Sequence, residues 1–135
     1  EMEKVVLMDD LPENWTYPLI QPKLIEKYLR VKNNSIIGAT VTVTVDRPLG
    51  SYHPEYKDMY YPINYGYIEG IMAPDGEEQD AYILGVNEPV DKFTGKIIAI
   101  VHRKDDVEEK WVVVPDGMMF SKGEIRQQIY FQEQY

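Results

Sequence analysis

The clearest periodic signal along the chain is "ATVTVTVDRP", where Val41, Val43 and Val45 alternate with Thr40, Thr42 and Thr44. A period of two predicts a strand with one buried face, because successive side chains point to opposite sides of a sheet. Further strand-like segments follow: "MYYPINYGYIEGI", interrupted by Pro62 and Gly66, then "DAYILGV", "GKIIAIVHR" and "KWVVVPDG". Between them, "NEPVDKFT" reads as a Pro-containing connection, "RKDDVEE" as a charged turn, and "FTGK" around Gly95 as a turn without the further glycines of a phosphate loop. Two segments carry helical spacing instead. "QPKLIEKYLRVKNN" has Pro22 in its first turn, i,i+4 apolar pairs Leu24/Tyr28 and Ile25/Leu29, and an exit at Asn33-Asn34. "SKGEIRQQIYFQEQY" opens with Ser121 and Glu124 at capping-box spacing and sets Ile125 and Ile129 on one face. Ahead of both, "EKVVLMDDLPENWTYPLI" reads as an extended arm.

Short strands at regular spacing followed by a helix predict one α+β, β-dominant domain over residues 1–135. Its expected form is a small closed five-stranded OB-like β-barrel over 38–115, with an N-terminal arm and helix over 1–37 and a C-terminal helix over 121–135. Length suits a single domain, and 44% hydrophobic residues suffice for a core. A net charge of -9 opposes phosphate backbones and anionic lipid, so neither nucleic acid nor membrane is an expected partner. The absence of cysteine excludes disulfides, thiolate zinc sites and a cysteine nucleophile. No apolar run approaches a membrane span, and a cytoplasmic location is expected. Glu1, ahead of Met2, reads as vector-derived and is set aside.

The charge is not evenly spread. "MAPDGEEQDAYILG" crowds Asp75, Glu77, Glu78 and Asp80 just ahead of an apolar run. A solvated turn that blunts a strand edge is one explanation. A calcium loop is not, since its sixth and twelfth positions would be Asp80 and Val86 rather than Gly and a carboxylate. A site for hard divalent ions is the other explanation, and a second acidic turn supplies Asp105, Asp106, Glu108 and Glu109. Both turns would then face one cavity at the mouth of the barrel. Tyr61 and Tyr67 suit packing, whereas Tyr65, between Asn64 and Gly66, suits a hydrogen bond to a phosphate oxygen. His53 and His102 lack ligand spacing and read as structural; Trp15 and Trp111 read as core or arm packing, and Asp9-Asp10 as solvated.

The stretch "YYPINYGYIEGIMAPDGEEQDAYILG" resembles the signature region of the soluble family I inorganic pyrophosphatases, in which Y-P-x-N-Y-G-Y-I precedes D-G-D-P-x-D. Tyr61, Pro62, Asn64, Tyr65, Gly66, Tyr67 and Ile68 match, as do Asp75, Gly76 and Asp80; Glu77 and Glu78 stand where the family has Asp and Pro. The likeness runs from about Val41 to Pro115 and implies Mg²⁺-dependent hydrolysis of inorganic pyrophosphate, or of a related phosphoanhydride, by a cytoplasmic homo-oligomer. It implies metal ligation by Asp75, Asp80, Asp46, Glu108 and, from the same turn, Asp105 or Asp106, water activation by Glu77 with Tyr65 beside the reacting phosphate, and phosphate contacts from Lys110, Tyr65 and Tyr135. Only eleven residues separate Pro48 from Tyr60, where the family carries a hairpin with a lysine and an arginine. Arg47, His53 and Lys57 are the basic residues nearby. Two alternatives stay open: a non-catalytic binding or assembly module on the same barrel, and hydrolysis of another phosphoanhydride such as a nucleotide. Turnover separates the first and a substrate panel the second.

Overall fold

The computed structural model describes residues 2–7, 36–73, 76–103 and 109–134. Six strands and one helix are present among them: β1 (Met2–Leu7), β2 (Thr40–Arg47), β3 (Asn64–Met72), β4 (Glu78–Ile83), β5 (Lys92–Arg103), β6 (Glu109–Val114) and α1 (Lys122–Glu133). The predicted helix of 21–34 lies outside the described residues.

Strand β5 closes the barrel. Its first half pairs antiparallel with β2, from Thr40↔Lys96 to Thr44↔Lys92, and from Lys96 onward its other edge pairs antiparallel with β6. Antiparallel β2–β3 and β3–β4 and parallel β4–β6 complete the circuit of five strands. Where β2 leaves, β1 takes over the same edge of β5, with Val5 opposite Val101. The opening arm thus contributes a sixth strand outside the closed barrel.

Three boundaries differ from the sequence reading. "FTGK" is not a turn: Lys92–Thr94 and Gly95 are strand residues. Gly95 sits where β5 changes partner; a Cβ there would lie 2.3 Å from the Val114 carbonyl oxygen and 2.5 Å from the Phe93 ring, so close backbone approach requires the glycine. The acidic cluster is also partly strand. Strand β4 starts at Glu78, opposite Met72, two residues before the expected start at Asp80, which lies opposite Tyr67; Gly76 brings the chain in with φ 88°, in the left-handed region. Finally, residues 59–63 precede β3 and carry only an isolated bridge to the preceding loop, Tyr52 to Tyr60, in place of a strand.

Strand alternation sorts the apolar residues into two cores. Val41, Val43, Ile68, Ile71, Ala81, Ile83, Ile97, Ile100, Trp111 and Val113 fill the barrel. Outward-facing Tyr82, Leu84, Val112 and Val114 instead pack with Ile125 and Ile129 of α1. A register shift between Ile97 and Ala99 lets Ile98 join Ala99 in this second core. The capping box at Ser121 and Glu124 forms in both directions. Such a cap contributes about 1 kcal/mol to starting the helix that covers the wall. No helix among the described residues is long and apolar enough to cross a membrane.

Candidate active site

Outward positions of the wall converge beside the C-terminal end of α1. In β2 the inward valines leave Asp46 on the outer side, and a register shift between Val45 and Arg47 brings Arg47 to the same cleft. In β4, Asp80 is two residues before outward-facing Tyr82; in β6, Lys110 is two before outward-facing Val112. Parallel pairing makes Asp80 and Lys110 direct register partners. With Tyr65 of β3 they line a cleft of about 400 Å³, completed by His53, Tyr56, Met59, Tyr61 and Gln132. Four of the described candidate residues, Asp46, Tyr65, Asp80 and Lys110, therefore meet on the outer wall under α1, not at the mouth of the barrel.

The short connection after β2 roofs the cleft. It folds back on itself through Gly50 N–H to the Tyr61 carbonyl (2.8 Å), Tyr61 N–H to the Ser51 carbonyl (2.9 Å) and His53 N–H to the Met59 carbonyl (2.9 Å). Behind it, Asn64 is buried; its Oδ1 accepts from Leu49 N–H at 2.9 Å and its Nδ2 donates to the Glu88 carbonyl at 2.9 Å. The match at Asn64 thus reflects loop anchoring.

A polar network ties α1 to the wall. Lys110 Nζ donates to Glu133 Oε2 at 2.7 Å, and the Tyr82 hydroxyl donates to the same oxygen. Gln132 Nε2 donates to the Tyr82 hydroxyl at 2.9 Å, and its Oε1 accepts from the Tyr61 hydroxyl at 2.6 Å. Burial raises the Tyr82 phenol well above its ordinary pKa, and the negative Glu133 reinforces the shift. Burial also raises Tyr65, with further contributions from the charge of Asp80 and a hydrogen bond to it. Tyr61 is raised by burial, partly offset by Arg47. All three phenols therefore stay protonated near neutrality and act as donors.

Glu77 is exposed just before β4 and is not among the residues lining the cleft. Asp75, Asp105, Asp106, Glu108 and Tyr135 lie outside the described residues. Glu109 is buried, its carboxylate 3.8 Å from His102. Trp111 is fully buried inside the barrel, as expected of a core residue. Gln132, Glu133 and Tyr82 were not singled out in the sequence. Glu133 carried a signal, because it continues the Ile125–Ile129 stripe at i+4 and is itself fully buried.

Hard-ion chemistry fits what is present. Asp46 and Asp80 offer carboxylate oxygens to one cleft, and Mg²⁺ commonly takes one or two carboxylates together with waters and substrate phosphates. Among the described residues, no three His, Asp or Glu side chains cluster at metal-binding distance.

The sequence model described as "Inorganic pyrophosphatase" matches residues 30–122, well over half of the chain. The chain belongs to the inorganic pyrophosphatase family. It is a divergent family I member. The inorganic pyrophosphatase of Halalkalibacterium halodurans is 28% identical over 103 residues, covering 71% of this chain and 61% of that protein. This pyrophosphatase-family chain therefore spans less than two thirds of the length of that curated relative. Its fold is similar to those of inorganic pyrophosphatases from Ehrlichia chaffeensis (TM-score 0.54, 18% identity, 70% of this chain and 80% of that one) and Thermus thermophilus (TM-score 0.52, 18% identity, 71% and 72%).

Proposed function

We propose that the cleft under α1 hydrolyses inorganic pyrophosphate to two phosphates with Mg²⁺. The observation that carries this reading is the register pairing of Asp80 with Lys110 beside Tyr65, within the segment matched by the family model. Asp46 and Asp80 are the assigned Mg²⁺ ligands, joined by Asp75, Asp105, Asp106 and Glu108. Bound Mg²⁺ would offset repulsion between these carboxylates and an anionic substrate, and make both the attacking and the leaving oxygen easier to form.

The chain's own groups do the rest. Tyr65 donates to Asp80; once a cation takes that carboxylate oxygen, its single O–H would be released to a phosphate oxygen. Lys110 supplies positive charge at the cleft wall, with Glu133 fixing its ammonium. Glu77, which stands outside the lining of the cleft, remains assigned as the proton acceptor, which requires the segment ahead of β4 to reach the water whose oxygen bonds to one phosphorus as the bridging P–O bond breaks toward the other phosphate. Arg47, held 3.5 Å from Asp46, contributes a second cation at the rim. Tyr135 remains assigned as a phosphate contact. The protein is proposed to act as a cytoplasmic homo-oligomer.

A substrate panel tests the reading. Phosphate release with Mg²⁺ should be faster from pyrophosphate than from ADP or ATP. Faster release from a nucleotide would reassign the substrate, and pyrophosphate binding without release from any compound would favour a non-catalytic module.

A further inference from the structure

In the loop that roofs the cleft, His53 is fixed in one tautomer. Its Nδ1 faces two backbone donors, Glu55 N–H at 3.0 Å and Tyr56 N–H at 3.1 Å. A nitrogen that accepts from two N–H groups carries no proton, so the neutral ring holds its proton on Nε2. The imidazole is half-buried, its centroid 4.8 Å from the Tyr56 ring, and it lies nearly parallel to the Tyr61 ring (18°) at 6.5 Å. Loop backbone and aromatic neighbours thus set both its position and its tautomer. His53 is also among the residues that line the cleft with Asp46, Asp80 and Lys110. Among the described residues Nε2 meets no hydrogen-bond partner.

The geometry points to His53 as an anion-binding residue whose Nε2–H donates to a phosphate oxygen of the substrate. It rests on the pyrophosphate reading above and deepens it, assigning a contact to a residue whose sequence context read as structural. A neutral donor suits this site. It neither forms an ion pair with Asp46 or Asp80 nor competes with a divalent cation for their oxygens, as a lysine in the same place would. The connection of eleven residues between Pro48 and Tyr60 thereby contributes a preset hydrogen bond instead of a long cationic side chain.

Two substitutions separate the donor from the fold of the loop. His53→Gln keeps an amide N–H₂ near the Nε2 position; His53→Asn keeps an acceptor near the Nδ1 position and removes the distant donor. Calorimetric titration with inorganic phosphate and with pyrophosphate, both with Mg²⁺, should show about tenfold weaker binding for His53→Asn, the loss expected when a hydrogen bond to a charged group goes. His53→Gln should stay within about threefold of the parent, and thermal unfolding should move little in either variant. Parent-like binding by His53→Asn, or an equal loss in His53→Gln, would overturn the assignment. Parent protein that binds both anions without turnover, with His53→Asn weakened, would remove the hydrolase reading and leave this one standing. Turnover unaffected by His53→Asn, with parent-like binding, would do the reverse. Binding of neither anion by the parent would remove both.

Discussion

Lys110 of β6 and Glu133 in the last turn of α1 form an ion pair of 2.7 Å that water scarcely reaches, their side chains being 5% and 0% exposed. The pair fastens the end of the helix to the wall that carries Asp80. Tyr82 donates to the same carboxylate, so desolvation of Glu133 is offset by two donors. The helix is therefore part of the cleft's construction as well as a cover for apolar wall residues.

Removing one partner leaves the other charged and buried. Glu133→Ala is expected to lower the unfolding free energy by about 3–5 kcal/mol. Lys110→Met combined with Glu133→Leu should recover much of that loss. Urea unfolding of the three proteins checks this, and a loss below about 1 kcal/mol for Glu133→Ala would mean that the pair is solvated.

The buried phenols give stability an alkaline limit. Near pH 7 both folded and unfolded chains hold the phenolic protons. Above the ordinary value of 10.0 the unfolded chain releases them, while Tyr65 and Tyr82, with raised folded pKa values, keep theirs. The folded state then binds more protons, so stability falls as pH rises, by about 1.4 kcal/mol per pH unit for each such group. Tyr65→Phe should remove one such contribution. Urea midpoints measured between about pH 10 and pH 11 would show a shallower decline in the variant, whereas identical slopes would contradict a raised Tyr65.

Gly66 allows β2 and β3 to approach closely. A Cβ there would lie 2.0 Å from the Thr44 carbonyl oxygen and 2.8 Å from the Val45 Cα, both backbone atoms that cannot rotate away. Gly66→Ala should cost about 3 kcal/mol or more and lower the thermal midpoint clearly. A neutral result would mean that the strands can separate without penalty.

Asp46 tests the cation assignment from the β2 side. Changing a residue that merely orients a metal ligand commonly costs 10–100-fold in affinity, and Asp46 is assigned as a ligand itself, so Asp46→Asn should raise the Mg²⁺ concentration needed for half-maximal phosphate release by at least about tenfold. An unchanged Mg²⁺ dependence would take Asp46 out of the ligand set.

The β-barrel was legible because Val41, Val43 and Val45 alternate cleanly with Thr, and the C-terminal helix because Ser121 and Glu124 declare its start. Gly95 was misread since a glycine at a strand crossing and one in a turn look alike locally; the Val114 carbonyl that demands it is nineteen residues away in sequence. Tyr65 and Asp80 were legible as chemistry, but the side of the wall they face was not. That depends on the parity of β4 relative to Tyr82, which is fixed by packing under α1. His53 was legible only as one of three basic residues near the short connection and otherwise read as structural, because its tautomer depends on two backbone N–H groups of its own loop. Glu133 was readable in principle as a carboxylate on an apolar stripe.

Rates of phosphate release from Mg²⁺-pyrophosphate by the parent chain and by Asp80→Asn, each first shown to be folded, bear most directly on the cleft as a hydrolytic site. The expected result is steady release by the parent and a fall of at least about a hundredfold in Asp80→Asn. Equal rates in the two proteins would contradict it.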